Sequence, residues 1–251
     1  MFDLSGRLAV VTGGNGGIGL AMGRALGAQG ASLAIWARDA EKNAAAVADL
    51  RERGVDAEAF AVDVAHEVQI TDAFAATLER FGHVDVMIAN AGISIPGPIH
   101  TLSLEDWRAV FAVNLDAAFL CFRAAAAHMI ERGEGGSLIG VSSTSAVHGA
   151  PANEAYSASK TALLGLVRGL AIELARHRIR ANSLMPGWTE TDMTAPLRSW
   201  DKFMDATIAR TPARRWATPD DMGAAAVFLA DPSLTFHTGD CIVVDGGYTI
   251  F

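Results

Sequence analysis

The chain has 251 residues, of which 51% are hydrophobic and 19% are charged, and its formal net charge is −8. This length and composition suit one large α/β core better than two small domains. The 20 lysines and arginines are scattered along an acidic chain, which argues against a nucleic-acid-binding surface and favours a small, soluble ligand.

The amino terminus has no basic segment followed by an apolar run, and no stretch approaches the ~20 apolar residues of a membrane span. We therefore expect a cytoplasmic protein. The only cysteines, Cys121 and Cys241, lie far apart and lack metal-ligand spacing. Two buried free thiols are expected here, with no disulfide and no metal site.

Short apolar runs alternate with helical stretches along the chain. The first run, residues 8–11, ends in a glycine-rich turn, after which residues 20–29 are helical. Further strands are predicted at residues 32–37, 57–62, 84–89, 137–142, 179–184 and 242–244. Further helices are predicted at residues 40–53, 67–81 and 104–130, and around Tyr156 through residues 161–174. This pattern predicts an α/β fold, a doubly wound parallel sheet of seven strands with helices on both faces.

Between residues 188 and 218 the regular pattern lapses, and large apolar side chains alternate with arginines. Such a long insertion within a single domain spanning residues 1–251 predicts a lid over the substrate. The alternative is a surface excursion with a small core of its own.

The glycine-rich turn fits two known spacings. Gly14-x-Gly16-x-x-Gly19 matches the common dinucleotide fingerprint, whereas Thr12-Gly13-x-x-x-Gly17-x-Gly19 matches another. Either spacing places a pyrophosphate on the N-terminus of the following helix, where backbone N–H groups bind the anion.

Tyr156 and Lys160 stand four residues apart, so on a helix the phenol and the ammonium share a face. A free phenol titrates near ~10, and lowering its pKa to ~7 needs roughly 4 kcal/mol of differential stabilisation. A neighbouring ammonium supplies part of it. The pair predicts general acid/base chemistry at a hydroxyl or a carbonyl.

Six motifs occur together in the order TGxxxGxG, Asn90-Ala91-Gly92, Asn114, Ser143, Tyr156-x-x-x-Lys160 and Pro186-Gly187. In this order the chain resembles the short-chain dehydrogenase/reductase family over essentially its whole length. The resemblance implies a Rossmann fold that uses a nicotinamide cofactor to oxidise secondary alcohols or reduce ketones, as a homotetramer. The catalytic positions show no departure from the family pattern.

The resemblance also assigns roles to individual residues. Tyr156 is the acid/base, Lys160 lowers its pKa and holds the nicotinamide ribose, Ser143 binds the substrate oxygen, and the backbone of Asn114 positions a water. The implied cofactor-binding residues are Gly13, Asn15, Gly17, Ile18, Gly19, Arg38, Asp63, Val64, Asn90, Ala91, Gly92, Tyr156, Lys160, Pro186, Gly187, Thr189 and Thr191.

Cofactor preference depends on the end of the second strand, where relatives that prefer NAD carry a carboxylate. That position is Ala37, followed by Arg38, which favours NADP(H) because a guanidinium pairs with the 2′-phosphate. NAD(H) stays open, because a register shifted by two would give the ribose role to Asp39. In the other interpretation, Asp39 caps the helix from Ala40 and Arg38 lies in solvent.

Two further alternatives remain at this point. A cofactor-sensing binding protein would keep the fold without turnover, although it need not retain all four catalytic residues. Within the enzyme interpretation, reduction of a 3-oxoacyl thioester and oxidoreduction of a sugar or polyol stay unresolved. Polar residues near the site (His148, Asn153, Glu154) favour a polar substrate, and large apolar ones (Trp188, Met193, Trp200, Phe203) favour an apolar substrate.

Overall fold

The structure is a computed structural model that describes residues 2–251. Seven parallel strands form its central sheet. The strands are β1 (Leu8–Thr12), β2 (Ser32–Ala37), β3 (Ala57–Ala61), β4 (Val86–Ala89), β5 (Gly136–Val141), β6 (Ile179–Pro186) and β7 (Cys241–Val244). Their order across the sheet is β3-β2-β1-β4-β5-β6-β7. The predicted doubly wound sheet is confirmed, and its strand order reverses between β1 and β4, where a ligand crevice is expected.

Helices connect successive strands and cover both faces of the sheet. They are α1 (Gly17–Gly27), α2 (Ala40–Glu52), α3 (Glu67–Phe81), α4 (Leu104–Phe111), α5 (Ala117–Arg132), α6 (Ser145–His148), α7 (Glu154–Leu174), α8 (Ala195–Arg198), α9 (Asp201–Arg210) and α10 (Gly223–Ala230). Two helices begin earlier than the apolar pattern indicated: α1 at Gly17 and α7 at Glu154. Their first turns are polar or glycine-rich, so hydrophobic periodicity did not reveal them.

Alternate residues of each strand enter two separate hydrophobic cores. In β2, Trp36 belongs to the core beneath α3, α5 and α7, whereas Leu33 and Ile35 belong to the core beneath α1 and α10. Both sets are fully buried, as expected for a parallel sheet covered on both faces. The sheet edge that carries the functional turns is thereby held on a rigid support.

The long helix predicted at residues 104–130 is interrupted. A π-helical turn, Ala112–Asp116, separates α4 from α5 and contains Asn114. A π turn inserts one extra residue, and such turns are frequent at functional sites. The predicted regular helix is therefore wrong at its centre.

One helix among residues 2–251, Leu104–Arg132, is apolar and long enough to pass for a membrane span by length and composition. We expected no such segment. Its side chains Val110, Phe122 and Met129 are fully buried against the rest of the chain. Of its most apolar stretch, 44% is buried inside the protein.

The stretch between residues 188 and 218 is more regular than predicted. It contains α8 and α9, and a parallel bridge between Thr189 and Ala217 closes its base. Trp188 stacks on Trp216 with ring centroids 5.2 Å apart, and Phe203 meets Trp188 edge-on at 5.1 Å. The segment thus has the small core that the alternative interpretation described.

The two cysteines differ in their surroundings. Both are free; Cys121 is buried, as expected, but Cys241 on the edge strand β7 is only half-buried. Burial raises the pKa of Cys121 to about 12 and that of Cys241 to about 11. Neither thiol is reactive at neutral pH.

Candidate active site

The glycine-rich turn runs from β1 directly into α1. Gly13 and Gly17 adopt positive φ angles of 62° and 49°, and a Cβ on Gly19 would collide with the carbonyl oxygen of Gly13. A Cβ on Gly16 would meet nothing within 4 Å. The backbone thus requires all three glycines of the TGxxxGxG spacing. Gly14 of the other spacing also lacks room for a Cβ, which would lie 2.9 Å from the carbonyl oxygen of Val11, but Gly16 of that spacing is not required.

The same turn suits a pyrophosphate. The N-cap residue of α1, Gly16, supplies no side-chain cap, so the N–H groups of the first helical turn are available to an anion. A nicotinamide dinucleotide therefore fits a cradle in which larger side chains would collide. Gly17 and Ile18 are the first two residues of α1 and lie at this helix end, as predicted.

Thr12 and Asn90 tie the ends of β1 and β4 together. The hydroxyl of Thr12 accepts hydrogen bonds from the backbone N–H groups of Asn90 and Ala91, both at 3.0 Å. The side-chain amide of Asn90 donates to the carbonyl oxygen of Thr12 at 2.9 Å. These bonds fix the backbone of Ala91 and Gly92 at the strand-order reversal.

A cleft of about 310 Å³ opens beside the turn, between the carboxyl ends of β2 and β3 and the segment after β4. Seven predicted cofactor residues line it: Gly13, Asn15, Arg38, Asp63, Val64, Ala91 and Gly92. The lining also includes Ala37 and Asp39, which the sequence connects with cofactor preference, and five residues for which no role was predicted: Trp36, Lys42, Val62, Ile93 and Val113. Lys42 could have been found from its place in the first turn of the helix that follows Arg38.

The residues after β2 separate the two interpretations of Arg38 and Asp39. The Asp39 carboxylate accepts from the backbone N–H groups of Glu41 and Lys42, both at 3.0 Å, so it caps α2 as the second interpretation stated. Arg38 is 68% exposed but lines the cleft, with Nη1 3.9 Å from the Asp63 carboxylate. A guanidinium at the rim of the cleft is suited to an anion there.

Tyr156 and Lys160 lie side by side near the start of α7. The Lys160 side chain is buried, and its Nζ donates to the carbonyl oxygen of Val141 at 2.8 Å. This Nζ lies 5.8 Å from the centre of the Tyr156 ring. The structure therefore brings the two predicted residues together at the end of β5.

The electrostatics of this pair differ in part from the prediction. Burial lowers the pKa of the Lys160 ammonium to about 8. Burial raises the pKa of the Tyr156 phenol, and its hydrogen bond with Ser143 acts in the opposite direction. The phenol pKa is raised, not lowered as predicted from Lys160, because desolvation of the phenolate outweighs the hydrogen bond with Ser143.

Ser143 is distinguished from its neighbours by its contacts. Ser142 is buried and donates to the backbone carbonyl of Lys160 at 2.9 Å, so its hydroxyl has a structural partner. Ser145 donates its hydroxyl to the Ser143 oxygen at 3.0 Å. Ser143 remains half-buried beside the Tyr156 phenol, in the position expected of the substrate-binding serine.

The side chain of Asn114 is fully engaged. Its Oδ1 accepts from the N–H of Ile93 at 2.8 Å, and its Nδ2 donates to the carbonyl of Ile93 at 3.0 Å and to the hydroxyl of Ser159 at 3.1 Å. Asn114 is 1% exposed. Only its backbone can act on a bound water, and the π turn displaces this backbone from a regular helix.

The segment after β6 folds over the glycine-rich turn. Gly187 has no room for a side chain, since a Cβ there would lie 2.7 Å from Cα of Asp245. The Thr189 hydroxyl donates to the carbonyl of Gly187 at 3.0 Å. The Thr191 methyl group would lie 3.4 Å from a Cβ on Gly17, so Thr191 approaches the phosphate cradle. Pro186, Gly187, Thr189 and Thr191 do not line the cleft itself.

Comparison with known proteins gives matches over the whole chain. Residues 13–249 match the family model described as "Enoyl-(Acyl carrier protein) reductase". Gluconate 5-dehydrogenase of Gluconobacter oxydans (strain 621H) is 35% identical over 250 residues, covering 100% of this chain and 97% of the relative.

Two solved structures are similarly close. A gluconate 5-dehydrogenase from Burkholderia cenocepacia J2315, in complex with NADP and tartrate, gives a TM-score of 0.94 at 38% identity, covering 99% of this chain and 97% of the other. A short-chain type dehydrogenase/reductase from Mycobacterium marinum gives a TM-score of 0.95 at 30% identity, covering 100% and 98%. The chain belongs to the short-chain dehydrogenase/reductase family.

Membership of the short-chain dehydrogenase/reductase family confirms the resemblance and the fold class. It also confirms the predicted reaction class, hydride transfer between NAD(P)(H) and a secondary alcohol or ketone. The NADP in the Burkholderia structure agrees with the predicted preference for NADP(H).

Proposed function

We propose that the protein interconverts a ketone and a secondary alcohol with NADP(H), using Tyr156 as the general acid/base. The observation that supports this most is the placement of the Tyr156 phenol between Ser143 and Lys160, at the edge of the sheet that carries the phosphate cradle. The cofactor supplies or accepts the hydride when bound. The chain supplies binding, orientation and a proton.

Tyr156 moves the proton. In reduction it donates the phenol proton to the substrate oxygen as negative charge develops there, and in oxidation it removes the hydroxyl proton. General acid/base catalysis of this kind contributes ~100- to 10,000-fold to the rate. The Ser143 hydroxyl donates a hydrogen bond to the same oxygen, and this bond strengthens in the transition state.

Lys160 and Asn114 support the tyrosine. The buried Lys160 ammonium favours the phenolate over the phenol and holds the nicotinamide ribose. The backbone carbonyl of Asn114 holds a water that returns protons to Lys160. In this scheme catalysis needs Asn114, Ser143, Tyr156 and Lys160 together. A binding protein without turnover does not need all four residues.

The cofactor is held along the carboxyl edge of the sheet. Gly13, Asn15, Gly17, Ile18 and Gly19 hold the pyrophosphate, Arg38 the 2′-phosphate, and Asp63 and Val64 the adenine. Residues beyond β4 and β6 hold the nicotinamide half: Asn90, Ala91, Gly92, Pro186, Gly187, Thr189 and Thr191. NADP(H) is favoured over NAD(H) because Ala37 cannot repel the phosphate and Arg38 can pair with it.

A sugar acid or a polyol is the substrate class that we favour. The gluconate 5-dehydrogenases that resemble this chain support it. The apolar side chains that favoured another substrate, Trp188 and Phe203, pack against Trp216 within their own segment. Polar groups lie near Tyr156 instead: Ser94 donates to the Asn153 side chain at 3.0 Å.

Reduction of a 3-oxoacyl thioester is the second candidate, because a 3-oxoacyl-[acyl-carrier-protein] reductase of Chlamydia pneumoniae is 33% identical to this chain over 246 residues. A panel of substrates distinguishes the two candidate substrate classes. Gluconate, keto-gluconate, linear polyols and an acetoacetyl thioester are each supplied with NADP(H) and with NAD(H), and nicotinamide absorbance is followed. We expect turnover with the sugar acids or polyols; turnover with the thioester alone would contradict the substrate class. Cofactor binding without turnover of any compound would favour the sensing protein.

We also propose that residues 1–251 form one catalytic domain, that residues 188–218 form the substrate lid, and that the protein is a cytoplasmic homotetramer. Large apolar side chains on the outer helices support the assembly. Phe119 on α5 is 45% exposed and Ile172 on α7 is 83% exposed, as is Ile250 in the tail at 90%. Light scattering at micromolar concentration tests the assembly, and a monomer would contradict it.

A further inference from the structure

One ion pair joins the cofactor cleft to the segment that follows β6. Nζ of Lys42, in the first turn of α2, lies 2.9 Å from the carboxylate of Asp192 in the segment after β6. The partners are 150 residues apart in sequence. Lys42 lines the cleft together with Arg38 and Asn15, and Asp192 follows Thr191, whose methyl group faces Gly17. The pair therefore ties the cleft to the segment that lies over the glycine-rich turn.

Lys42 stands on a rigid support. The Asp39 carboxylate caps its helix, and Asn43, which is 4% exposed, donates its amide to the carbonyl oxygen of Ala37 at 2.9 Å. The Asn43 oxygen accepts from the Asn15 amide at 2.8 Å. The start of α2 is thereby fixed to the end of β2 and to the glycine-rich turn.

Asp192 stands on a short loop that is ordered by its own hydroxyls. The Thr194 hydroxyl accepts from the N–H of Thr191 at 3.0 Å and donates to the carbonyl of Thr189 at 2.7 Å. The Thr191 methyl group faces Gly17. Any bond from Asp192 to the rigid side therefore fixes the position of Thr189 and Thr191 over the cradle.

We propose that the Lys42–Asp192 ion pair is a positioning pair that holds the segment Thr189–Thr194 over the glycine-rich turn and so slows release of the cofactor. This proposal rests on the proposed cofactor site. The pair acts through the backbone of the segment, not through contact with the ribose phosphate. It therefore affects NADP(H) and NAD(H) alike.

The exposure of the two side chains sets the expected size of the effect on cofactor release. Lys42 and Asp192 are 57% and 94% exposed in their side chains, so water and salt screen the pair. Exposed pairs of this kind change an equilibrium by about two- to fivefold. The effect should disappear in high salt.

The test compares Lys42→Met, Asp192→Asn, the double variant and the reversed pair Lys42→Asp/Asp192→Lys. Dissociation of NADPH and of NADH is timed by stopped-flow fluorescence, and tryptic cleavage after the exposed Arg198 is timed without cofactor. We expect each single variant to speed both dissociation and cleavage by about two- to fivefold. The double variant should add nothing further, and the reversed pair should return both rates to near the native values.

Glu52→Gln on α2, the helix of Lys42, and Asp72→Asn on α3 are the matched controls, since both residues are exposed and lie outside the proposed lid. They should leave both rates unchanged. Independent, multiplicative effects of the two single changes would overturn the proposal. The proposal would also be overturned if Lys42→Met changed only the dissociation of NADPH while Asp192→Asn had no effect. Lys42 would then be a direct contact of the phosphate. Native protein that binds neither cofactor would refute the proposed function instead.

Discussion

The side-chain amide of Asn114 donates to the hydroxyl of Ser159 at 3.1 Å, and this hydroxyl donates to the carbonyl oxygen of Tyr156 at 2.8 Å. Ser159 is 0% exposed. It therefore couples the π-helical turn to the first turns of the helix that carries Tyr156 and Lys160.

We predict that Ser159→Ala lowers kcat several-fold and leaves cofactor affinity unchanged. Asn114 keeps its bonds to Ile93, so the stability loss should stay at about 1 kcal/mol. Ser157→Ala is the control, because its hydroxyl donates only to the carbonyl of Asn153 on the same helix. Equal losses of kcat in both variants would show that the link to Asn114 has no catalytic importance.

The burial of Lys160 predicts a pH-dependent stability. Its folded pKa of about 8 lies below the ordinary value of 10.5, so the unfolded chain binds more protons between these values. The cost of burying the ammonium is complete below pH 8 and is relieved as pH rises toward 10.5.

Lys160→Met should therefore be inactive yet more stable than the native protein at pH 7, by on the order of 1 to 3 kcal/mol. Urea unfolding at several pH values measures the difference. The gap should narrow as pH rises above 8. The cysteines and Tyr156 also titrate in this range, but they are shared by both proteins and cancel in the comparison. A variant less stable than native at pH 7 would contradict the pKa direction.

The cofactor preference is tested at the end of β2. Ala37→Asp with Arg38→Leu places a carboxylate beside the ribose and removes the guanidinium. We expect affinity for NADPH to fall about ten- to a hundredfold and affinity for NADH to hold or rise. Isothermal titration of both cofactors measures this. Native protein that prefers NADH would refute the role of Arg38.

Asp85 immediately precedes β4, at the end of the strands opposite the active site, and its contacts predict a pH-dependent stability. Its carboxylate accepts from the N–H of Leu8 at 2.9 Å, Arg7 at 3.0 Å and Arg132 at 2.6 Å. Burial raises the pKa of this carboxyl, but these bonds outweigh burial and hold the pKa below its ordinary value. The stabilisation is present above pH ~4 and is lost as pH falls through the folded pKa.

Asp85→Asn should thus cost about 2 to 4 kcal/mol at pH 7, because Arg7 loses its carboxylate partner and Arg132 keeps only the exposed Glu134. The kcat of Asp85→Asn should stay near the native value, since the active site lies at the carboxyl ends of the strands. Chemical unfolding at pH 7 and pH 3.5 measures the cost, which should shrink at the lower pH. A cost independent of pH would show that packing, not charge, is responsible.

Much of the fold could be predicted because it is encoded locally. The apolar run at residues 8–11 specifies a strand by itself, as does the predicted strand at residues 179–184 to within two residues, and the spacing of Tyr156 and Lys160 specifies a shared helix face. The π turn could not be predicted. Its Asn114 side chain bonds to Ile93, 21 residues away, and no local pattern reports such a bond.

The same reasoning explains the other misses at the site. The pair of Lys42 and Asp192 joins distant segments, so neither residue stands out in the sequence. The direction of the Tyr156 pKa depends on how completely the ring is buried, which neighbouring charges in the sequence do not show. The helices α1 and α7 begin earlier than the apolar pattern indicated, because their first turns face the active site and lack the hydrophobic periodicity of a core-facing helix.

The central claim is that Tyr156 transfers the proton, and Tyr156→Phe tests it most directly. The ring is retained and only the hydroxyl is lost, so cofactor affinity measured by fluorescence titration should stay within about twofold of native. Turnover on the best substrate of the panel, measured under single-turnover conditions, should fall at least ~100-fold and as much as ~10,000-fold. Near-native turnover by the Tyr156→Phe protein, with its cofactor bound, would contradict the assignment.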